Sequence, residues 1–288
     1  MRFTDNLSPL TELSYWQEAD QRFWVRVPSI AASPTATTLR LYYGNVSATS
    51  SSNLSGVFGS GIVGFWPFTE GAGTTTYDRS GSGNNGTLTN GPTWTAGRYG
   101  NAPSFDGVDD YVALGTSSTL DVYSNEFSIE TWFNMPSASL MNRTLFVSAT
   151  TDDKGIGFFI NRGVGGVDGN AIDLQKGEVI DQAIAYTFNA NTWYHTVAVQ
   201  RFAGANPSQV DFYVNGSFIG SYVNTSAYVS AAGFIKGIGC KQAPVANENY
   251  FQGLIDEFRI YNRALSAAEI ASRYANPQPT ASAPGPEQ

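Results

Sequence analysis

The chain has 288 residues, of which 42% are hydrophobic and 14% aromatic, and only 14% are charged, against the ~25% of an average soluble domain. With 24 acidic against 16 basic side chains the net charge is -8 and the pI near 4.6, so a phosphate backbone is repelled and nucleic acid is excluded as a partner. A single cysteine, Cys240, excludes an intrachain disulfide, and no run approaches the ~20 apolar residues of a membrane span.

A surface so poor in charge must be covered by Ser, Thr, Asn, Gln and Gly, the composition of many extracellular β-proteins. Met1-Arg-Phe-Thr-Asp5 has no features of a secretory leader. Phe23, Val25 and Val27 alternate with Trp24 and Arg26, and Leu39, Leu41 and Tyr43 with Arg40 and Tyr42, the period-2 signature of short strands. Pro28 to Pro34 is turn material between them. The Ser/Asn-rich stretch from Asn45 to Ser55 has the composition of a connection, and the expected boundary falls at about Val57, leaving a small β subdomain over 1–56.

From there to about residue 276 the pattern is strands separated by Asn-Gly, Asp-Gly and Gly-Gly turns. Expected strands are Val63–Phe68, Ser104–Leu114, Phe127–Phe133, Thr144–Ser148, Ile156–Ile160 and Ala171–Lys176. Further along come Ala183–Phe188, Trp193–Arg201, Gln209–Val214, Ser217–Val223, Gly233–Gly237 and Gly253–Ile260. Asn215-Gly216, between two apolar runs, supplies the positive φ values of a type I′ hairpin turn. The expected fold is therefore all-β, a large antiparallel sandwich. Ser266-Ala-Ala-Glu269 is a capping box that opens one short helix, stopped by Pro277. Asn247-Glu-Asn-Tyr-Phe-Gln-Gly253 resembles a protease tag site, but it runs straight into a patterned strand and is taken as native. Residues 277–288, Pro-rich and without a large hydrophobic, have the character of an extended linker toward a further segment.

Candidate chemistry is concentrated in a few loops. Thr76-Tyr-Asp-Arg-Ser-Gly-Ser-Gly-Asn-Asn-Gly-Thr-Leu88 has the glycine content of a flexible spacer but lies between strand ends. Its glycines allow backbone carbonyls to turn inward on one point, as a hard cation requires. Asp78 capping the turn by an Asx hydrogen bond, and Asn85-Gly86-Thr87 as a glycosylation sequon, are alternative readings. Asp106, Asp109 and Asp110 invite a second metal hypothesis, though Asp-Gly followed by Asp-Asp is ordinary hairpin-turn chemistry. His195, on an apolar strand face, is expected to be a hydrogen-bonded core residue, and Cys240 a buried small apolar one. Asp256 and Glu257, adjacent in a strand, are expected on opposite faces. That disfavours a glycosidase pair, and Glu126, Glu130 and Glu178 are scattered.

Several ordered motifs carry a resemblance. Val63-Gly-Phe-Trp-Pro-Phe-Thr-Glu-Gly71, Tyr77-Asp-Arg-Ser-Gly-Ser-Gly-Asn-Asn-Gly-Thr-Leu88, Ser104-Phe-Asp-Gly-Val-Asp-Asp-Tyr111, Thr192-Trp-Tyr-His-Thr-Val197 and Gly253-Leu-Ile-Asp-Glu-Phe-Arg-Ile-Tyr-Asn-Arg-Ala-Leu-Ser266 together resemble the laminin-G-like, concanavalin-A-like jelly-roll family. The preceding Arg2-Phe-Thr-Asp5, Leu13-Ser-Tyr-Trp-Gln-Glu18 and Trp24-Val-Arg-Val-Pro28 are similar to the second half of the β-domain DUF2341. The resemblance implies a curved jelly roll over 57–276, used as a binding module rather than an enzyme. It also implies a structural calcium ion held by Asp78, the Asn85 and Thr87 region and Asp256, with Arg79 as a departure. Trp94, Tyr99, Tyr111 and Tyr123, in or beside loops, are the aromatics on which a sugar ring could stack. The partner expected is a polysaccharide or glycan, at an extracellular or periplasmic location. The other readings are a protein-interaction module of an envelope membrane complex and, less favoured, a polysaccharide-degrading enzyme.

Overall fold

The computed structural model describes residues 1–5, 11–17, 23–27, 37–45, 47, 52, 56–57, 59–136, 143–149, 155–161, 169–176, 183–202, 208–224, 233, 236–240 and 249–275. The turn expected at Pro28–Pro34, the 277–288 tail, Glu178 and Asn247-Glu248 lie outside them. The chain divides into two compact units, 1–62 and 63–288.

The first unit contains β1 (Arg2–Thr4), β2 (Glu12–Leu13), β3 (Tyr15–Gln17), β4 (Phe23–Val25) and β5 (Arg40–Tyr42). They form a three-stranded sheet, β2-β1-β5, and the pair β3-β4. Phe3, Leu13 and Tyr15 are its buried core, with Phe23 and Val25 packed against them. The Phe3 and Tyr15 rings are tilted at 5.2 Å.

The second unit continues with β6 (Ile62–Trp66), β7 (Thr75–Thr76), β8 (Gly86–Thr89), β9 (Thr93–Ala96), β10 (Asn101–Asp106) and β11 (Tyr111–Ala113). After a 3-10 turn at Ser118–Leu120 come β12 (Phe127–Asn134), β13 (Arg143–Ala149), β14 (Gly155–Ile160), β15 (Ala171–Lys176) and β16 (Ile184–Ala185). The last strands are β17 (Trp193–Phe202), β18 (Ser208–Val214), β19 (Ser217–Asn224), β20 (Lys236–Ile238) and β21 (Gln252–Tyr261), followed by a helix over Ala267–Ala275. One sheet runs β19-β18-β17-β12-β21-β10-β9 with β6 also on β21, and the other runs β16-β15-β14-β13-β20-β11-β8-β7.

Alternation fixes which side chains fill the space between the sheets. Ile129 and Phe133 of β12, Ala198 of β17, Phe212 of β18 and Ile260 of β21 point inward and meet Phe146, Phe158, Leu174 and Ile238 of the opposing sheet. Burial of this aromatic-rich layer removes apolar area from water at ~25 cal/mol per Å² and supplies the main driving force for folding. Asn215 and Gly216 have φ of 49° and 76°, as the type I′ reading of β18-β19 requires. Ser266 Oγ accepts from the Glu269 amide at 3.2 Å while a Glu269 carboxylate oxygen takes the Ser266 amide at 2.9 Å, so the capping box forms as expected.

Two local expectations are corrected. Asp106 Oδ1 does accept from Val108 N at 2.7 Å, a turn bond. However, β10 pairs with β9 and β21 whereas β11 pairs with β8 and β20, so this turn carries the chain from one sheet to the other and makes no hairpin. Strands β7 and β8 flank the 76–88 loop, where strand ends were expected, and β9 is a short strand where none was expected.

Candidate functional site

The loop between β7 and β8 is organised around one carboxylate. Asp78, nearly buried, accepts at Oδ1 from Phe65 N (2.9 Å) and Ser80 N (2.8 Å), and at Oδ2 from Asn84 N (2.9 Å). Its own amide donates to Asn85 Oδ1 at 3.0 Å. Gly81 and Gly83, with φ of 88° and 76°, let the chain turn back so that these amides converge. Asn84 ties the loop to its surroundings: its carbonyl accepts the Trp66 indole N–H at 2.9 Å and its Oδ1 accepts Thr119 Oγ1 at 3.0 Å. Arg79 stacks its guanidinium over the exposed Tyr77 ring at 5.2 Å.

Asp256 keeps different company. It lies fully buried in β21, opposite Trp132, and accepts Tyr99 N at Oδ2 (2.9 Å) and Glu257 N at Oδ1 (2.8 Å). The structure thus brings Asp78 and Asn85 together, places exposed Thr87 in β8 opposite Ala113, and gives Asp256 a set of partners that shares no residue with that of Asp78.

Glu257 sits at φ 53° in a β-bulge, where β21 has one residue more than β12 between Arg259↔Glu130 and Asp256↔Trp132. The bulge breaks the alternation that was expected to send Asp256 and Glu257 to opposite faces. Both carboxylates turn to the outer face of the sheet, where Glu257 pairs with Arg259. Burial, reinforced by the neighbouring Glu257 charge, holds the Asp256 carboxyl well above its usual range, and burial raises Glu257 against the pull of Arg259.

Beside them lies Glu130, which sequence reading left among scattered acids. Its carboxylate meets His195 Nε2 at 2.9 Å, Tyr261 Oη at 3.0 Å, Arg259 at 3.6 Å and Arg273 of the C-terminal helix at 3.7 Å. Desolvation alone would raise its pKa, but the two guanidiniums and the His195 bond hold it far below the carboxylate range. A charged residue inside the apolar strand Phe127–Phe133 is the signal that marks it. His195 is a buried, bonded residue, as expected, and Cys240 is buried, with desolvation pushing its thiol up to about 12. Tyr274 of the helix stacks on Trp132 at 5.8 Å and closes this polar cluster from above.

The four aromatics divide by burial. Tyr123 is fully enclosed in the main core and Tyr111 is nearly so beside Tyr250 and Cys240, so neither can present a ring face to a sugar. Trp94 is partly exposed and fixed by its indole N–H to Gly73 O at 2.8 Å. Tyr99, also partly exposed, meets Trp132 edge-on at 5.7 Å, and Arg98 lies over both rings. The carboxylates of Asp106, Asp109 and Asp110 converge within 4.8 Å, a group able to hold a metal ion, while Asp110 Oδ2 accepts Asp106 N at 3.0 Å.

Residues 105–271 match the family described as the concanavalin A-like lectin/glucanases superfamily, and the chain belongs to it. Residues 1–78 match DUF2341, a domain of unknown function. Nothing matches among curated proteins. Among solved structures, domain 4 of an extracellular arabinanase from Geobacillus stearothermophilus, in complex with arabinotriose, is similar. Its TM-score is 0.56 at 20% identity, with 74% of this chain and 97% of that one covered. A Trypanosoma rangeli sialidase gives 0.58 at 16% identity, over 77% of this chain and 34% of that one. The receptor-binding domain of botulinum neurotoxin type G gives 0.55 at 16%, over 75% and 51%. The chain therefore spans about a third of the sialidase and half of the neurotoxin domain, and at these identities the likeness is one of fold. The fold is one that glycoside hydrolases and lectin-like modules share.

Proposed function

We propose that the second unit is a non-catalytic carbohydrate-binding module of a secreted or envelope protein. The observation that carries this is the state of the acids. Glu130, Asp256 and Glu257 are all buried, each held by amides, a guanidinium or His195. General acid–base work on a glycosidic bond needs carboxyls that reach the substrate, whereas recognition needs only a ring face and hydroxyl partners. Partly exposed Trp94 and Tyr99 offer ring faces, and Asn101, whose Nδ2 donates to Thr69 O at 3.4 Å, keeps its amide oxygen for a hydroxyl. The similarity to an arabinanase domain in complex with arabinotriose, nearly all of which is covered, supports the same reading.

Calcium enters this reading at the 78–87 loop. Asp78 Oδ2 and Asn85 Oδ1 each accept one hydrogen bond from the protein and so retain a lone pair for a cation. Such an ion would be held by the Asp78 carboxylate and the Asn85 amide oxygen, with the Arg79 charge opposing it.

Binding is tested on a glycan array with the whole chain, followed by affinity electrophoresis in soluble arabinan, xylan and β-glucan. Retarded migration that is lost in Tyr99→Ala or Trp94→Ala is the expected result. Uniform migration in every polysaccharide, or release of reducing ends, would set the reading aside.

A further inference from the structure

We propose that Arg98, at the tip of the β9-β10 hairpin, selects the glycan, and that the glycan it selects is an otherwise neutral one bearing scattered carboxylates, such as uronate branches. This rests on the reading of the second unit as a carbohydrate-binding module and names its ligand class.

The hairpin tip is anchored from below. Gly97 N donates to Gly100 O at 2.9 Å and closes a turn whose two tip residues are Arg98 and Tyr99. Tyr99 N donates in turn to Oδ2 of the buried Asp256 at 2.9 Å. Gly97 approaches the same carboxylate so closely that a Cβ there would lie 2.8 Å from Oδ2. The backbone that carries Arg98 is therefore set before a ligand arrives, which lowers the ordering cost of binding.

The Arg98 side chain is exposed, yet its guanidinium is supported: it lies over the Tyr99 ring at 5.4 Å and over the buried Trp132 ring at 4.8 Å. Tyr274, 38% exposed, stacks on that same Trp132 ring. Contacts of this kind use the flat face of a guanidinium and leave its N–H edge for a planar, bidentate acceptor. Among the described residues no carboxylate forms an ion pair with Arg98. The buried acids of β21 are otherwise engaged, Asp256 with the amides of Tyr99 and Glu257, and Glu257 with Arg259. A ligand carboxylate is the group that completes such a fork, and the partly exposed Tyr99 and Tyr274 rings lie beside it as apolar surface for the sugar.

Charge sets the density of those carboxylates. At a net charge of -8 the chain repels a polyuronate for the same reason that it repels nucleic acid. One guanidinium accepts one carboxylate, so the fitting ligand is a neutral chain with isolated acidic sugars.

The test is affinity electrophoresis of the whole chain in glucuronoxylan, gum arabic and xanthan, each beside its carboxyl-reduced form, which keeps the backbone and removes the charge. At least one acidic form is expected to bind about tenfold tighter than its reduced counterpart, with the gap narrowing as salt is added. Arg98→Ala should erase that gap, and Arg98→Lys, which keeps the charge without the fork, should restore only part of it. Unchanged melting temperatures in both variants establish that they fold. Equal binding of acidic and reduced forms, a gap indifferent to Arg98→Ala, or a preference for polygalacturonate over all three would overturn the proposal and leave glycan recognition standing. Binding to no polysaccharide, acidic or neutral, would remove both, and retention by poly-L-glutamate alone would assign Arg98 to a peptide instead.

Discussion

His195 Nε2 and Glu130 Oε1 lie 2.9 Å apart in the space enclosed by the outer face of one sheet and the C-terminal helix, with both side chains shut away from solvent. Glu130 is the one acid there whose charge is strongly favoured, since Arg259 and Arg273 approach it from a strand and from the helix. Glu130→Ala removes a buried counterion that Arg259 and Arg273 share, while Arg259 keeps its pair with Glu257, and a loss of about 3 kcal/mol is expected. Glu130→Gln keeps an acceptor for Tyr261 and should lose less. Urea unfolding of the two variants gives the comparison; equal midpoints for Glu130→Ala and wild type would remove the ion cluster as a source of stability.

Stability should peak on the acid side of neutrality. Glu130 has a depressed folded pKa, so its contribution is present above the unfolded value of 4.5 and is lost as pH falls toward the folded one. Glu269, held down to about 2 chiefly by its bond with Arg263, acts in the same direction more weakly because it is partly exposed. Asp256 and Glu257 have raised pKa values, so the folded state holds their protons more firmly and stability declines as pH rises past 3.8 and 4.5 toward their folded values. Melting temperatures measured from strongly acid to alkaline pH should therefore rise, pass a maximum below neutrality and fall. A curve that climbs steadily through neutral pH contradicts the raised pair.

Asp78→Ala should cost about 3 kcal/mol, because three backbone amides lose their acceptor within the loop. Asp78→Asn retains one acceptor oxygen and should be milder. If the 78–87 loop also holds calcium, the wild type melts higher in calcium than in chelator, and both variants lose that difference. Identical melting in the two conditions would confine Asp78 to its hydrogen bonds.

Gly253 is the glycine that the sandwich can least do without. At φ 131°, a Cβ there would lie 2.1 Å from the Asn134 carbonyl oxygen, a backbone atom that cannot step aside. Gly253→Ala is expected to separate β12 from β21 locally and to destabilise by about 3 kcal/mol or more. A soluble variant with wild-type unfolding behaviour would show that the strands can shift.

Tyr99 and Tyr123 should separate recognition from packing. Tyr123→Ala empties a fully buried site and should cost roughly 3–5 kcal/mol without any specific effect on a ligand. Tyr99→Ala should cost less stability and act mainly on binding. Parallel calorimetric melting and affinity electrophoresis distinguish the two patterns.

What the sequence made legible follows from how local each signal is. Asn215-Gly216 and Ser266-Ala-Ala-Glu269 specify their turn and helix start through bonds within a few residues, and both form as expected. The long strands were visible through alternation. The bulge at Glu257 was not, because a non-glycine residue at positive φ carries no sequence mark and is imposed by pairing across β12. For the same reason the turn at Asp106–Asp110 could be recognised as a turn while its destination, a second sheet, could not. Tyr111 and Tyr123 lie beside loops in sequence, but their burial depends on partners more than twenty residues away, such as Tyr250 and Phe146.

The position of β21 bears on how the protein is made. It is nearly the last element in the chain, yet it lies between β12 and β10 and also holds β6. During synthesis β6, β10 and β12 leave the ribosome well before the strand that joins them, and their edges toward it stay open until residues 252–261 emerge. Closure of the sandwich is therefore a late, long-range event. A chain halted anywhere before Gln252 would have most of the aromatic core and no means of sealing it, and should be captured by chaperones or aggregate rather than persist as a smaller domain.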